Sequence, residues 1–471
     1  MSSLIALQDD NSPDWLPRLA AHGGPRFLQI ADALQAAVSA GSLKPGDRLP
    51  PQRRLAAQLD VDLTTITRAY DEARRRHLLE GRGARGTYVA APKIELTSIL
   101  DLSMNTPPPP DGVDFDDLLK QGLSQVLMRA DSELLMTYHL GGGSDSDRKA
   151  GARWLEPMFG RLDSGQVVVC PGAQAAIAAL ILALSEPGDV ILAEPISYPG
   201  LRAAAAQFGR RIIAVEADRH GMMPEMLEQA CRRDKPALVY LNPTLQNPTA
   251  ITMGEQRRKE LAAIAKRCNA RLIEDDPYWL LADAPPPPIA TLAPDQAYYI
   301  STLSKCLTPG LRVAFVLIRD PHERERFLVA LRSFALMVAP LTAALATQWI
   351  LDGSADGLME GVRKEACLRH RMAGDILAGR YNGAGDGLHV WLNLPGYWSP
   401  SQFARAADSE GVAVTPAEAF ATSANNSNSS GSVNAIRISL GSIKDRGRLQ
   451  AGLQRLSHLL ARRPESLSAV V

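Results

Sequence analysis

An α/β fold carrying a small helical head is predicted by three features of the 471-residue sequence. Apolar runs at 167–170, 190–193, 211–215, 237–241, 271–274, 297–301 and 312–318 alternate with helical stretches such as 222–232 and 254–268. That alternation predicts a largely parallel sheet covered on both faces, with ligands at the carboxyl ends of its strands. Ahead of it, residues 25–91 hold three short helical patterns and a glycine-rich hairpin. Between the two, 92–112 shifts in composition and ends in Pro107-Pro108-Pro109-Pro110, a stiff run suited to joining domains.

Composition narrows the possible classes. An apolar fraction of 46% is that of a globular protein, and the length allows two or more domains. The formal charge is zero, yet residues 25–91 carry 11 Lys and Arg against 7 Asp and Glu, so a basic head sits on an acidic body. That asymmetry points to an anionic polymer as one partner. Cys170, Cys231, Cys268, Cys306 and Cys367 are scattered, with no C-x-x-C pair, which implies reduced thiols, a cytoplasmic setting and no metal site. The first 14 residues show no basic or apolar export pattern. The uncharged run 334–351 contains Pro340 and Gln348 and is alanine-rich, so a buried helix rather than a membrane span is expected. Residues 424–432 are low-complexity and read as an exposed loop.

In the head, Ile30, Ala33, Leu34, Ala37 and Val38 recur at helical spacing and Gly41 closes the segment. A second helix runs over about 51–59, burying Leu55, Ala56 and Leu59. After the break at 60–62, Asp62 can cap a third helix whose inner face is Ile66, Ala69, Tyr70 and Ala73. Two short helices about a tight turn make a helix-turn-helix, whose second member can enter the major groove. A hairpin with a basic glycine tip, 81–86, follows as a wing, so DNA binding fits better than a plain helical bundle with surface arginines. Pro45 through Ala56, Val61 through Tyr70 and Gly86-Thr87-Tyr88-Val89 resemble the winged helix-turn-helix of the GntR family. The resemblance implies DNA contacts by Arg53, Thr64 and Thr65; Thr67, Arg68, Arg82 and Arg85 complete the candidate set. Leu63 and Thr67 stand where some relatives carry arginines.

In the body, the chemical residues fall at strand ends. Lys305 lies among hydroxyl residues in Ser301-Thr302-Leu303-Ser304-Lys305 after an apolar run that predicts a buried strand, where lost hydration favours the neutral amine that forms a Schiff base with an aldehyde. Taken alone, a solvated surface lysine reads equally well. Arg312 can grip a phosphate beside the Thr302 and Ser304 hydroxyls. Gly172-Ala173-Gln174 opens a helix whose first N–H groups can cradle a phosphate, or merely connects strand to helix. A carboxylate within Glu274-Asp275-Asp276 at a strand end can keep a pyridine nitrogen protonated, or cap a helix. The turn 242–250 offers an amide to a phenolic oxygen, and Tyr198 can stack on a ring or fill core.

In this order and spacing these segments resemble the fold-type I pyridoxal 5′-phosphate (PLP) aminotransferases, with a large and a small domain. The resemblance implies that Lys305 forms the internal aldimine and that Asp275 pairs with the pyridinium. Tyr278 and Asn247 would bond the ring oxygen, and Tyr198 would stack. Ala173, Gln174, Thr302, Ser304 and Arg312 would hold the phosphate, with Tyr138 reaching in from a neighbouring subunit of a homodimer. Arg437, in 435–439, matches the arginine that binds an amino-acid carboxylate. Ala250 replaces a usual glycine, and Asp147 a common leucine.

Head and body together resemble the MocR/GabR group of bacterial regulators. The implied domains are a DNA-binding head over 20–91, a linker over 92–112, a large domain over 113–330 and a small domain over 331–460. The implied function is transcription regulation through a double-stranded DNA operator, with an amino acid or other primary amine sensed as an external aldimine at Lys305. A working aminotransferase, and a DNA-binding protein with a cofactor-free body, are the alternatives.

Overall fold

The computed structural model describes residues 15–16, 19, 24–76, 78–81, 86–90, 99–129, 132–383, 385–422 and 433–464. The chain divides into two compact units, Met1–Ser98 and Ile99–Val471.

In the first unit, α1 (Arg26–Ser39), α2 (Gln52–Leu59) and α3 (Leu63–Arg75) enclose a core of Ile30, Leu34, Leu55, Ile66, Ala69 and Tyr70. These residues recur every three or four positions, so each helix buries one stripe. The Tyr70 hydroxyl donates to the Pro50 carbonyl at 2.9 Å, pinning α3 to the start of α2. Asp60 turns between α2 and α3 in the left-handed region, φ 50°. Asp62 occupies the position before α3 but its carboxyl makes no capping bond, contrary to the expectation. Strands Leu79–Gly81 and Thr87–Val89 pair antiparallel as a wing; Arg82 and Arg85, at its tip, lie outside the described residues.

The second unit is built on a seven-stranded sheet in the order Val167–Cys170, Ala314–Leu317, Ala297–Thr302, Arg271–Asp275, Leu238–Leu241, Val190–Ala193, Arg211–Ala214. All the expected strands are present. Only Ala314–Leu317 runs antiparallel, against both neighbours. Apolar clusters cover both faces, which is why the strands read as continuous apolar runs. The run 334–351 divides between the end of helix Pro321–Phe334 and helix Pro340–Asp352, whose Leu345, Ala346, Trp349 and Ile350 are buried. No helix among the described residues is long and apolar enough to cross a membrane.

A smaller antiparallel sheet, Tyr381–Asn382, His389–Asn393, Ala435–Ser439 and Thr415–Pro416, packs with helices Ser354–Leu377, Pro400–Ser409 and Arg446–Ala461. The expected linker over 92–112 is corrected from Ile99 onward, where the chain belongs to the second unit. Leu100–Asp101 pairs with Val412–Ala413, and Leu100 and Leu102 are buried in the small-sheet core. Asp147 takes the place of a common leucine usefully: it completes a capping box with Ser144 and accepts from the Thr347 hydroxyl at 2.7 Å.

Candidate functional site

The carboxyl ends of five strands, Val167–Cys170, Ala297–Thr302, Arg271–Asp275, Leu238–Leu241 and Val190–Ala193, open into a cleft. It is lined by Ala173, Gln174, Tyr198, Asn247, Asp275, Tyr278, Thr302, Ser304, Lys305 and Arg312, all predicted from sequence, together with Asn242 and Pro277.

Lys305 stands on the short helix Leu303–Cys306, directly after strand Ala297–Thr302. The Thr302 hydroxyl accepts from the Ser304 N–H at 3.3 Å and so caps the turn that aims the lysine. Burial, assisted by Arg437, lowers the Lys305 pKa to about 8, against the pull of Asp275. At pH 7 roughly a tenth of the side chain is then the neutral amine, against about one in three thousand for an ordinary lysine. Its Nζ donates to the Asn105 carbonyl.

The acidic triplet divides its roles. Glu274 accepts from the Ile289 and Ala290 N–H groups at 2.8 and 2.7 Å, capping a helix. Asp276 accepts from the Thr244 hydroxyl at 2.8 Å. Asp275 alone lines the cleft, with Oδ2 accepting from the Tyr240 hydroxyl at 2.6 Å and Oδ1 buried without a protein partner. Burial raises its pKa to about 6, opposed by Tyr240 and Lys305, so it is mostly ionised at neutral pH.

On the opposite wall, Gly172 holds φ +88° and a Cβ there would lie 2.6 Å from Arg312 Nη2. The backbone entering helix Ala173–Leu184 can therefore approach the guanidinium as only glycine allows. Gln174 Nε2 donates to the Gly200 carbonyl at 2.9 Å, and the Thr302 and Ser304 hydroxyls lie 3.1 Å apart. A buried unpaired carboxylate oxygen, a lysine whose pKa burial lowers and a cradle of helix N–H groups with an arginine suit PLP, for its ring nitrogen, aldehyde and phosphate respectively.

Arg437 lies on strand Ala435–Ser439, between two other strands and 7% exposed, so it is not a surface charge at a sheet edge. Its Nη1 donates to Asn247 Oδ1 at 2.7 Å, Nη2 donates to the Ser103 carbonyl, and Nε has no partner. The guanidinium sits 4.9 Å over the Phe420 ring. Ala250, at φ 57°, keeps the left-handed turn that a glycine would supply. Tyr138 is 71% exposed and is not among the residues lining the cleft of its own chain.

Sequence reasoning missed Asn105, Tyr240 and His389. Asn105 Nδ2 donates to the Tyr278 hydroxyl at 2.9 Å and lies 3.1 Å from His389 Nδ1. Burial and Arg437 push His389 down to about 3, so it is neutral; Nδ1 accepts from Asn105 and Nε2–H donates to the Gln246 carbonyl at 3.2 Å. Since Tyr278 accepts from Asn105, its own proton remains free to donate. Asn105 was hidden in a stretch that reads as linker, and Tyr240 in an apolar strand.

In the head, Arg53 and Thr64 are exposed and Thr65 is half-buried. Thr67 and Arg68 are engaged within the unit: the Thr67 hydroxyl donates to Gln52 Oε1 at 3.0 Å, and Arg68 lies 4.7 Å over the Phe27 ring.

Residues 97–456 match the family described as aminotransferase class I and II, and residues 27–89 match bacterial regulatory proteins, gntR family. The chain is 31% identical to the uncharacterized HTH-type transcriptional regulator YdeF of Bacillus subtilis, over 96% of this chain and 98% of that one. It is 27% identical to the vitamin B6 salvage pathway transcriptional repressor PtsJ of Salmonella typhimurium, over 90% and 96% of the two chains. Among solved structures it resembles the α-aminoadipate aminotransferase LysN of Thermus thermophilus, complexed with a phosphopyridoxyl-leucine. That match has a TM-score of 0.69 and 26% identity, covering 78% of this chain and 93% of that one.

Proposed function

The chain belongs to the aminotransferase class I and II family, with a gntR-family domain ahead of it as in MocR-type transcriptional regulators, and we propose that it senses an amino acid or other primary amine by amine exchange at Lys305. The cofactor is pyridoxal 5′-phosphate. When bound it supplies an aldehyde that condenses reversibly with primary amines. In this reading Lys305 offers the neutral amine, Asp275 Oδ1 holds a proton on the ring nitrogen, and Tyr278 and Asn247 bond the ring oxygen. Tyr198 covers the ring face. The N–H groups of Ala173 and Gln174, with Thr302, Ser304 and Arg312, hold the phosphate. Arg437 takes the effector's carboxylate. A cytoplasmic homodimer, in which Tyr138 of a second copy completes the cleft, is part of the proposal.

One observation carries it. Lys305, which the amino acid displaces, and Arg437, which takes its carboxylate, both donate to carbonyls of one segment, Asn105 and Ser103, which follows the head in the chain. Amine exchange frees Lys305 to donate to Asn105, while an effector carboxylate draws Arg437 away from Ser103, so both events change what holds that segment. Charge-assisted hydrogen bonds contribute about 1.5–3 kcal/mol each. Moving a two-state equilibrium from mostly off to mostly on takes roughly 5 kcal/mol, to which these changes contribute a part.

The test is a DNA-shift assay on the protein's own upstream region against a panel of primary amines, with and without PLP. A shift that responds to one amine only when PLP is present is the expected result; a response independent of PLP overturns the proposal. The second reading, a working aminotransferase, is favoured by the presence in one cleft of the predicted cofactor-facing groups other than Tyr138. Single-turnover spectra separate the two, since release of a keto acid and pyridoxamine phosphate means turnover.

A further inference from the structure

The face of α3 that turns away from the head's core is unusual in what it leaves available. Ile66, Ala69, Tyr70 and Ala73 are buried, while Leu63 and Thr64 are exposed in the first turn. The cations of this helix each have a partner within the head, at its surface. Arg68 lies over Phe27, Arg74 pairs with Asp71 at 2.6 Å, and Arg75 pairs with Glu72 at 2.7 Å. The Thr67 hydroxyl is committed to Gln52 Oε1 and to the Leu63 carbonyl, each at 3.0 Å. What the first turn presents is an aliphatic side chain, Leu63 at 42% exposure, beside the methyl and hydroxyl of Thr64.

In a helix-turn-helix the first turn of the second helix meets base edges in the major groove. The only aliphatic group on those edges is the 5-methyl of thymine. Exposed Arg53 and Arg54 on α2, in a segment with 11 basic against 7 acidic residues, supply attraction to phosphates without base information. We propose that Leu63, with Thr64, reads a thymine methyl group in the major groove, so that each half-site bound by this head has a T·A pair facing the start of α3. The proposal rests on the reading that the head binds DNA.

The test uses the full-length protein with PLP. Duplexes are first selected from a randomised library, and each thymine of the selected site is then replaced singly by deoxyuridine, which removes the methyl group and leaves every hydrogen-bonding edge intact. One thymine per half-site should be sensitive, with binding weakened roughly four-fold, the worth of one methyl group withdrawn from water. Leu63→Ala, at an exposed position, should bind the thymine and deoxyuridine duplexes alike. Uniform insensitivity to deoxyuridine, or a Leu63→Ala protein that remains as sensitive as wild type, overturns this assignment alone. A protein that selects no DNA overturns the DNA-binding reading and this assignment with it.

Discussion

Replacing Arg437 by methionine separates the carboxylate grip from everything else in the cleft. Arg437 is 7% exposed, its guanidinium carbon 4.9 Å from the centre of the Phe420 ring, with Nε unpartnered and Nη1 on Asn247. Its planar fork can present two parallel donors to a carboxylate, in a place where water competes little. Two charge-assisted bonds at the low end of their range amount to about 3 kcal/mol, or a loss of roughly 150-fold in affinity. The assay follows the cofactor absorbance above 400 nm during titration with an α-amino acid and with the amine lacking its carboxylate. Arg437→Met should weaken the amino acid by about two orders of magnitude and leave the plain amine within a few-fold. Arg437→Lys, which keeps the charge but not the fork, should fall between. Equal weakening of both ligands would refute the reasoning, because it would mean that Arg437 holds up the cleft rather than the effector.

Other consequences follow from single residues. Burial lowers Lys305 from 10.5 to about 8, so between those pH values the unfolded chain binds a proton that the folded apoprotein lacks. Apoprotein stability should therefore rise with pH across that window relative to Lys305→Met, and the rate of PLP uptake should climb through about pH 8; denaturation and reconstitution series check both. Gly172→Ala puts a Cβ 2.6 Å from Arg312 Nη2 at φ +88°. The backbone cost is about 1–2 kcal/mol, and PLP affinity should fall by at least ten-fold in an equilibrium titration while DNA binding by the apoprotein persists. Glu365 is 5% exposed and bonds Arg369, itself fully buried, at 2.7 Å. Glu365→Ala removes the counter-charge and leaves Arg369 only the Leu440, Ile443 and Lys444 carbonyls, and should destabilise the second unit by about 3 kcal/mol in chemical denaturation.

Much of the body was legible because a strand buried on both faces reads as a continuous apolar run, and its chemistry sits where the run stops. Lys305, the acidic triplet 274–276 and the turn at 171–174 stand at such ends; the choice of Asp275 from the triplet came from the resemblance. The direction of a strand leaves no such mark, so the reversed Ala314–Leu317 was not foreseen. Side chains that serve the site from within an element were also hidden: Tyr240 looks like core until its hydroxyl is seen on Asp275. The segment 99–112 was misread because a proline run is stiff in any setting. Its place was decided by Leu100 and Leu102 burying themselves in the small-sheet core, a long-range contact. In the head the helix spacing was plain, whereas the engagement of Arg68 by Phe27 and of Thr67 by Gln52 depends on how α1 and α2 pack on α3.

The central claim is that amine exchange at one lysine governs DNA binding. Lys305→Ala protein, supplied with PLP, should keep its DNA affinity without the effector and lose its response to the amine in a DNA-shift titration. A mutant that still answers the amine over the wild-type concentration range would contradict the account.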